Sequence, residues 1–211
     1  MIEVSVLTIS FPLPDSLWSP MRQRLPPRLV ESAKRLRRTE DRQRSLCGRL
    51  LLERALRRRG YGGNLWEEFS TDACGKPRVA GPFPFSLSHS GDYVVCAVSD
   101  RGAVGVDVER IVFRGAQEFD GIFTPEECDE LRRAADPVRE GYRLWTMKEA
   151  ALKADGRALT VPVEAVRLSG TVAQIEDKRW AVADIPLRPG YVACLAAEPG
   201  QDSVCIWDAL Q

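Results

Sequence analysis

The 211 residues are 44% hydrophobic and 28% charged, a composition that excludes a disordered or fibrous chain and suits one large domain or two small ones. Thirty Lys and Arg balance thirty Asp and Glu overall, yet residues 22–59 hold fourteen basic residues against four acidic, a local +10 offset by −10 elsewhere. Apolar runs such as Y-V-V-C-A-V at 93–98 fall short of the ~20 residues a bilayer span needs, and no basic-then-apolar leader precedes residue 20, so a soluble, non-exported protein is expected.

Taken in chain order, Ile2, Val4 and Val6 alternate as a strand, and Pro12, Pro14, Pro20, Pro26 and Pro27 then punctuate a loop. Pro27 suits a first helical position, with Leu29, Val30, Ala33 and Leu36 as a short stripe. Thr39 is expected to cap a second helix, with Glu40 and Asp41 in its first turn and an end at Gly60. Strands are expected at 66–70, 85–88, 93–99 and 104–109, joined by turns at 75–77 and 90–92. T-P-E-E at 124–127 has the form of a capping box, and Asp136-Pro137 starts a long helix running to about 155. Short strands near Val166, Val172, Trp180, Tyr191 and Val204 follow in an antiparallel pattern. Y-V-V-C at 93–96 is echoed as Y-V-A-C at 191–194, an offset of 98 that also pairs Leu46 with Leu144, which points to two related halves with a cleft between them.

Six cysteines, Cys47, Cys74, Cys96, Cys128, Cys194 and Cys205, stand far apart with no C-x-x-C pair; they read as reduced cytoplasmic thiols without a zinc site. His89 is the only histidine, which removes every mechanism needing two imidazoles. In G-V-D-V-E at 105–109, Asp107 and Glu109 project from one strand face about 7 Å apart, half of a divalent-cation site or a solvated acidic face. In W-T-M-K-E-A-A-L-K at 145–153, Trp145, Glu149 and Lys153 share a helical stripe with Lys148 beside it, which supplies a third carboxylate and two bases or an ordinary i,i+4 pair. F-S-L-S-H-S-G at 85–91 ends a strand in a polar turn suited to phosphate, and it lacks the G-x-S-x-G spacing of a hydrolase nucleophile.

In this order, G-K-P at 75–77, F-S-L-S-H-S-G, G-V-D-V-E and W-T-M-K-E-A-A-L-K resemble the motif series of the 4′-phosphopantetheinyl transferases of monomeric, two-half type. The resemblance spans residues 75–153, extends through Glu40, Asp41 and the helix at 44–52, and is topological beyond Thr160. It implies an α+β fold of two pseudo-twofold-related halves, each a small antiparallel sheet packed with helices. Residues 1–102 would carry the basic helices and coenzyme A motifs, and residues 103–211 the magnesium strand and the W-x-x-K-E-x-x-x-K helix. The implied reaction moves phosphopantetheine from coenzyme A to a serine of an acyl or peptidyl carrier protein and releases adenosine 3′,5′-bisphosphate. The implied setting is a cytoplasmic monomer that binds neither nucleic acid nor membrane.

By the same resemblance Asp107, Glu109 and Glu149 hold magnesium, or manganese in its place, while Lys148 and Lys153 stabilise the departing nucleotide. His89 would hold the 3′-phosphate, Ser88, Lys76 and Gly75 would meet the nucleotide, and Arg44 would lie at its rim. Glu149, Asp107 and Lys153 carry the chemistry, with Glu149 favoured over a metal-bound water as acceptor of the serine proton. One departure stands out: Leu29 and Ser32 occupy positions where the family often has phosphate-gripping lysines, with Arg28, Lys34 or Arg35 as substitutes one helical step away. Phe113, Phe119 and Phe123 are expected to receive the carrier or to pack in the core. Two other classes compete: a nucleic-acid-binding module using residues 22–59, which leaves the three acids unexplained, and a non-catalytic carrier-protein adaptor.

Overall fold

The computed structural model describes residues 1–72, 76–81, 83–112, 119, 121–157, 160–201 and 204–208. The chain opens with β1 (Ile2–Thr8), helices α1 (Asp15–Gln23), α2 (Pro27–Ala33), α3 (Thr39–Arg58) and the one-turn α4 (Leu65–Glu68), then β2 (Phe69–Thr71), β3 (Pro77–Val79), β4 (Phe85–Ser90) and β5 (Tyr93–Ser99). It continues through β6 (Val104–Arg110), α5 (Pro125–Arg133), α6 (Pro137–Asp155), β7 (Arg167–Ser169), β8 (Val172–Ile175), β9 (Lys178–Asp184), β10 (Tyr191–Ala197) and β11 (Val204–Asp208). Among the described residues no helix is long and apolar enough to cross a membrane.

Two larger sheets have the orders β11-β1-β5-β4 and β6-β10-β9-β8-β7, and β2 pairs with β3 in a small third one. The antiparallel trio β1-β5-β4 recurs as β6-β10-β9, with the two strands of the 98-residue echo at the centre of each trio. The first residues of the echo, Tyr93 and Tyr191, meet nearly perpendicular with ring centroids 4.7 Å apart. The fold is therefore α+β in two related halves. The last strand departs from the expected antiparallel pattern: β11 lies parallel to β1 in the first sheet. An edge strand takes whichever free main-chain edge lies within reach of its connection, which local pattern does not encode.

Alternation within β5 and β10 explains their unbroken apolar sequences. Tyr93, Val95 and Ala97 join Tyr191, Ala193 and Leu195 in a core that also takes in Val4 of β1 and Val106 of β6, between the two sheets. The opposite faces pack on helices: Val94, Cys96 and Val98 with Cys47, Leu51 and Ala55 of α3, and Cys194 and Ala196 with Met147, Ala150 and Ala151 of α6. A strand covered on both faces needs apolar residues at every position, and both strands are buried throughout.

The helix starts follow local chemistry with three differences. Thr124 and Glu127 form the reciprocal capping box at α5, and Asp136 caps α6 by accepting from the Arg139 amide at 2.9 Å. Helix α6 stops at Gly156, whose φ of 85° is left-handed. Thr39, in contrast, is already inside α3, and Arg38 before it makes no side-chain cap. Within the expected proline loop, α1 forms despite Pro20, because Trp18 and Met21 pack against Leu46 and Leu50 of α3. Residues 65–68 turn as α4 rather than extend, with the Glu67 and Glu68 amides both bonded to the Asn64 carbonyl and Leu65 buried.

Candidate active site

The edges β4 and β6 belong to different sheets yet run side by side, joined through serine hydroxyls. The amides of Val106, Val108 and Arg110 donate to Oγ of Ser86, Ser88 and Ser90 at 3.1, 3.4 and 3.0 Å. Alternate residues of each strand thus meet across the seam, which leaves no bare edge there. Asp107 and Glu109 project from β6 into a cleft of about 620 Å³, whose lining includes Trp145, Glu149 and Lys153 of α6, His89 of β4, and Ser32, Arg35 and Arg49 of the first half.

Gly105 sets the distance between β6 and α6. A methyl group there would collide with the Ala150 carbonyl and the Ala154 amide, so only glycine lets the helix backbone come this close. Gly105→Ala is expected to push α6 outward, cost about 1–3 kcal/mol in urea unfolding, and weaken activity by separating Lys153 from Asp107. Unchanged stability and activity would show that the helix tolerates the displacement.

Asp107 is almost fully buried. Its Oδ1 accepts from Lys153 Nζ at 2.6 Å and Ser88 Oγ at 2.8 Å, while Oδ2 is buried without a hydrogen-bond partner. Lys153 Nζ also donates to Ser88 Oγ at 3.1 Å. Glu109 accepts from Ser90 Oγ at 3.0 Å, and burial together with the charge of Asp107 pushes its pKa up to about 7. The same two causes raise Glu149 above the ordinary carboxylate range. His89 stands at the cleft surface, where desolvation by the cleft walls and the positive charges of Lys153 and Arg44 lower its pKa and favour the neutral ring. Arg49 lies over the Phe69 ring at 5.6 Å and lines the same cleft as the acids.

The donor set suits a hard divalent cation in kind: three carboxylates, one with an orphaned buried oxygen and two whose pKa values burial and the charge of Asp107 raise. Among the described residues no three acidic, histidine or cysteine side chains converge into a complete ligand group, and the Lys153 ammonium neutralises Asp107 instead. A site with few protein ligands is what magnesium, which retains water and substrate oxygens, accepts.

Several expected residues stand elsewhere. Lys148 is fully buried and faces away from the cleft: its ammonium pairs with Glu127 at 2.8 Å and donates to the carbonyls of Val166 and Ile122 at 2.7 and 3.4 Å, so it cannot reach a nucleotide. Ser88 lines the cleft, with its hydroxyl engaged by Asp107, Lys153 and the Val108 amide. Lys76 donates to the Lys153 carbonyl at 2.5 Å and ties the first half to the last turn of α6. Gly75 and Phe113 lie outside the described residues.

Arg44 lies in a second cavity of about 610 Å³ that shares His89, Glu109 and Trp145 with the cleft, and it bonds the Gly91 carbonyl and Asp41, both at 2.6 Å. Phe119 lines that cavity and packs edge-on against Tyr142, whereas Phe123 lies 5.6 Å from the Lys148 ammonium. Of the proposed substitutes for the missing lysines, Arg35 lines the cleft, while Arg28 bonds the Trp66 and Phe69 carbonyls and Lys34 pairs with Glu31. Pro77 of the G-K-P motif lines the cleft, as do Ser45 and Thr71, which no spacing in the sequence singled out.

An acidic strand and a lysine-bearing helix meeting a basic wall at the seam of two related α+β halves define a class of phosphate-handling transferases. A family model described as 4′-phosphopantetheinyl transferase superfamily matches residues 103–196, and one described as 4′-phosphopantetheinyl transferase, N-terminal, matches residues 12–101. The 4′-phosphopantetheinyl transferase Sfp of Bacillus subtilis (strain 168) is 31% identical over 187 residues, 82% of each chain. The 4′-phosphopantetheinyl transferase HetI of Nostoc sp. is 31% identical over 213 residues, 92% of this chain and 87% of its own. The transferase psf-1 of Bacillus pumilus is 31% identical over 181 residues, 82% of this chain and 75% of its own. The chain belongs to the 4′-phosphopantetheinyl transferase family and is an enzyme of that class.

Proposed function

We propose that this enzyme transfers the 4′-phosphopantetheine group of coenzyme A to a serine of an acyl or peptidyl carrier protein, with magnesium or manganese bound by Asp107, Glu109 and Glu149. The observation that carries the reading is that these acids and Lys153 line one cleft together with Arg35, Arg49 and His89. A bound divalent cation supplies charge neutralisation to the pyrophosphate. The remaining work falls to side chains. The serine oxygen forms a bond to the phosphorus that bears the pantetheine arm, and the phosphoanhydride bond breaks with its electron pair leaving on adenosine 3′,5′-bisphosphate.

Glu149, held above the ordinary carboxylate range, is the acceptor for the serine proton. Lys153 presents an ammonium beside the acids, where it stabilises the departing phosphate. Arg35, Arg49 and the neutral His89 receive the 3′-phosphate in place of the absent lysines. Part of the +10 segment is already engaged: Arg58 and Arg59 bind Glu3, Arg59 also binds Asp100, and Arg24 binds Glu53, which favours this reading over a nucleic-acid surface. We take the enzyme to act as a cytoplasmic monomer, in keeping with the free thiols of Cys47, Cys96, Cys128, Cys194 and Cys205. The deciding experiment is the intact mass of an apo carrier protein after incubation with the enzyme, coenzyme A and magnesium. Gain of one phosphopantetheine, abolished by a chelator, is expected. Coenzyme A binding with no gain across several carriers would make the protein an adaptor, and salt-sensitive DNA retention without coenzyme A binding would restore the nucleic-acid reading.

A further inference from the structure

The hydroxyls between β4 and β6 follow a rule with one exception. Each serine accepts the amide of the residue twenty positions on, and Ser88 and Ser90 also donate to the side chain nineteen positions on, Asp107 and Glu109. For Ser86 that nineteenth position is Gly105, which has no side chain to receive the proton. A hydroxyl has one proton and two lone pairs. With a lone pair committed to a main-chain amide, the direction of the O–H bond is narrowed to the neighbouring carboxylate, and the carboxylate is narrowed in turn.

We infer that Ser88 and Ser90 are positioning residues that hold Asp107 and Glu109 toward the cleft, whereas Ser86 only joins the two halves. The inference rests on the functional reading above. It makes the acids, which stand on a strand of the second half, depend for orientation on a strand of the first, so the site is set by the seam itself. Outer-shell hydrogen bonds of this kind orient ligating carboxylates and affect metal affinity about tenfold or more.

The test compares Ser86→Ala, Ser88→Ala, Ser90→Ala and Ser90→Thr in the full chain. Free Mn²⁺ is followed by electron paramagnetic resonance in the presence of coenzyme A and without carrier, so that no turnover occurs, and thermal melts report folding. Ser88→Ala and Ser90→Ala are expected to lose about tenfold in Mn²⁺ affinity and to lower kcat, with KM for coenzyme A changed by less than about twofold. Ser90→Thr, which keeps the hydroxyl, restores Mn²⁺ affinity to within about threefold of wild type. Ser86→Ala retains wild-type Mn²⁺ affinity while its melting temperature falls like the others.

Equal Mn²⁺ affinity in all variants, or equal loss in Ser86→Ala and Ser90→Ala, overturns the positioning role, as does a wild-type protein that transfers pantetheine but binds no Mn²⁺. If Ser88→Ala does not fold, the Ser90 pair decides. Absence of transfer by wild-type protein on every carrier would refute the functional reading instead, and the Mn²⁺ comparison would still judge the serines.

Discussion

Asp107→Asn is expected to leave the protein folded and to lower phosphopantetheinyl transfer about a thousandfold, ~4 kcal/mol of transition-state stabilisation. The substitution preserves shape and an acceptor for Ser88 and Lys153 while removing the charge and placing an amide where the orphaned Oδ2 now stands. The loss should fall mainly on kcat rather than on KM for coenzyme A, because on the proposed mechanism the acids act on charge that develops as the phosphoanhydride bond breaks, and the arginines on ground-state binding. Arg35→Ala is the contrast: KM rises several-fold with kcat nearly kept. Steady-state kinetics with a purified apo carrier separates the two. Near-normal turnover by Asp107→Asn would remove this carboxylate from the mechanism.

The second large effect is on stability and comes from the pair Glu127–Lys148. Neither side chain is more than 3% exposed, and every strong donor and acceptor of the pair is satisfied: Lys148 bonds Glu127 and two carbonyls, while Glu127 also accepts the Thr124 and Leu168 amides. Removing either partner strands a charge in a dry interior. Glu127→Leu and Lys148→Met alone are each expected to cost about 3–5 kcal/mol in urea unfolding. The double variant should be less destabilised than the sum by about 2 kcal/mol or more, although the two amides still lose their acceptor. Activity of Lys148→Met should follow its folded fraction, the opposite of what a lysine on the nucleotide would give. Strictly additive losses would mean that the pair contributes no coupling.

Much of the architecture was legible because it is local. Capping chemistry marks α5 and α6, period-two alternation places Asp107 and Glu109 on one strand face, and period 3.6 puts Trp145, Glu149 and Lys153 on one stripe; all five line the same cleft. The 98-residue echo marks the two strands that are covered on both faces. Lys148 shows the limit of that reading. One residue before Glu149, it is turned by about 100° around the helix and enters the interior beneath α5, and only the position of Glu127, distant in sequence, makes that burial tolerable.

The amino-acid sequence by itself thus determined the family, the two related halves, the starts of α5 and α6 and the acidic and basic residues available to one cleft, since these rest on periodicity and motif order within short stretches of chain. The tertiary structure decided how those residues are used. The return of β11 to the first sheet, the use of Lys76 on α6 and the serine contacts across the seam depend on partners tens of residues away. So does the difference between Lys153 in the cleft and Lys148 in the core. Charge and hydrogen-bonding capacity are written in the side chain, but desolvation and the identity of the partner arise only when distant segments pack together.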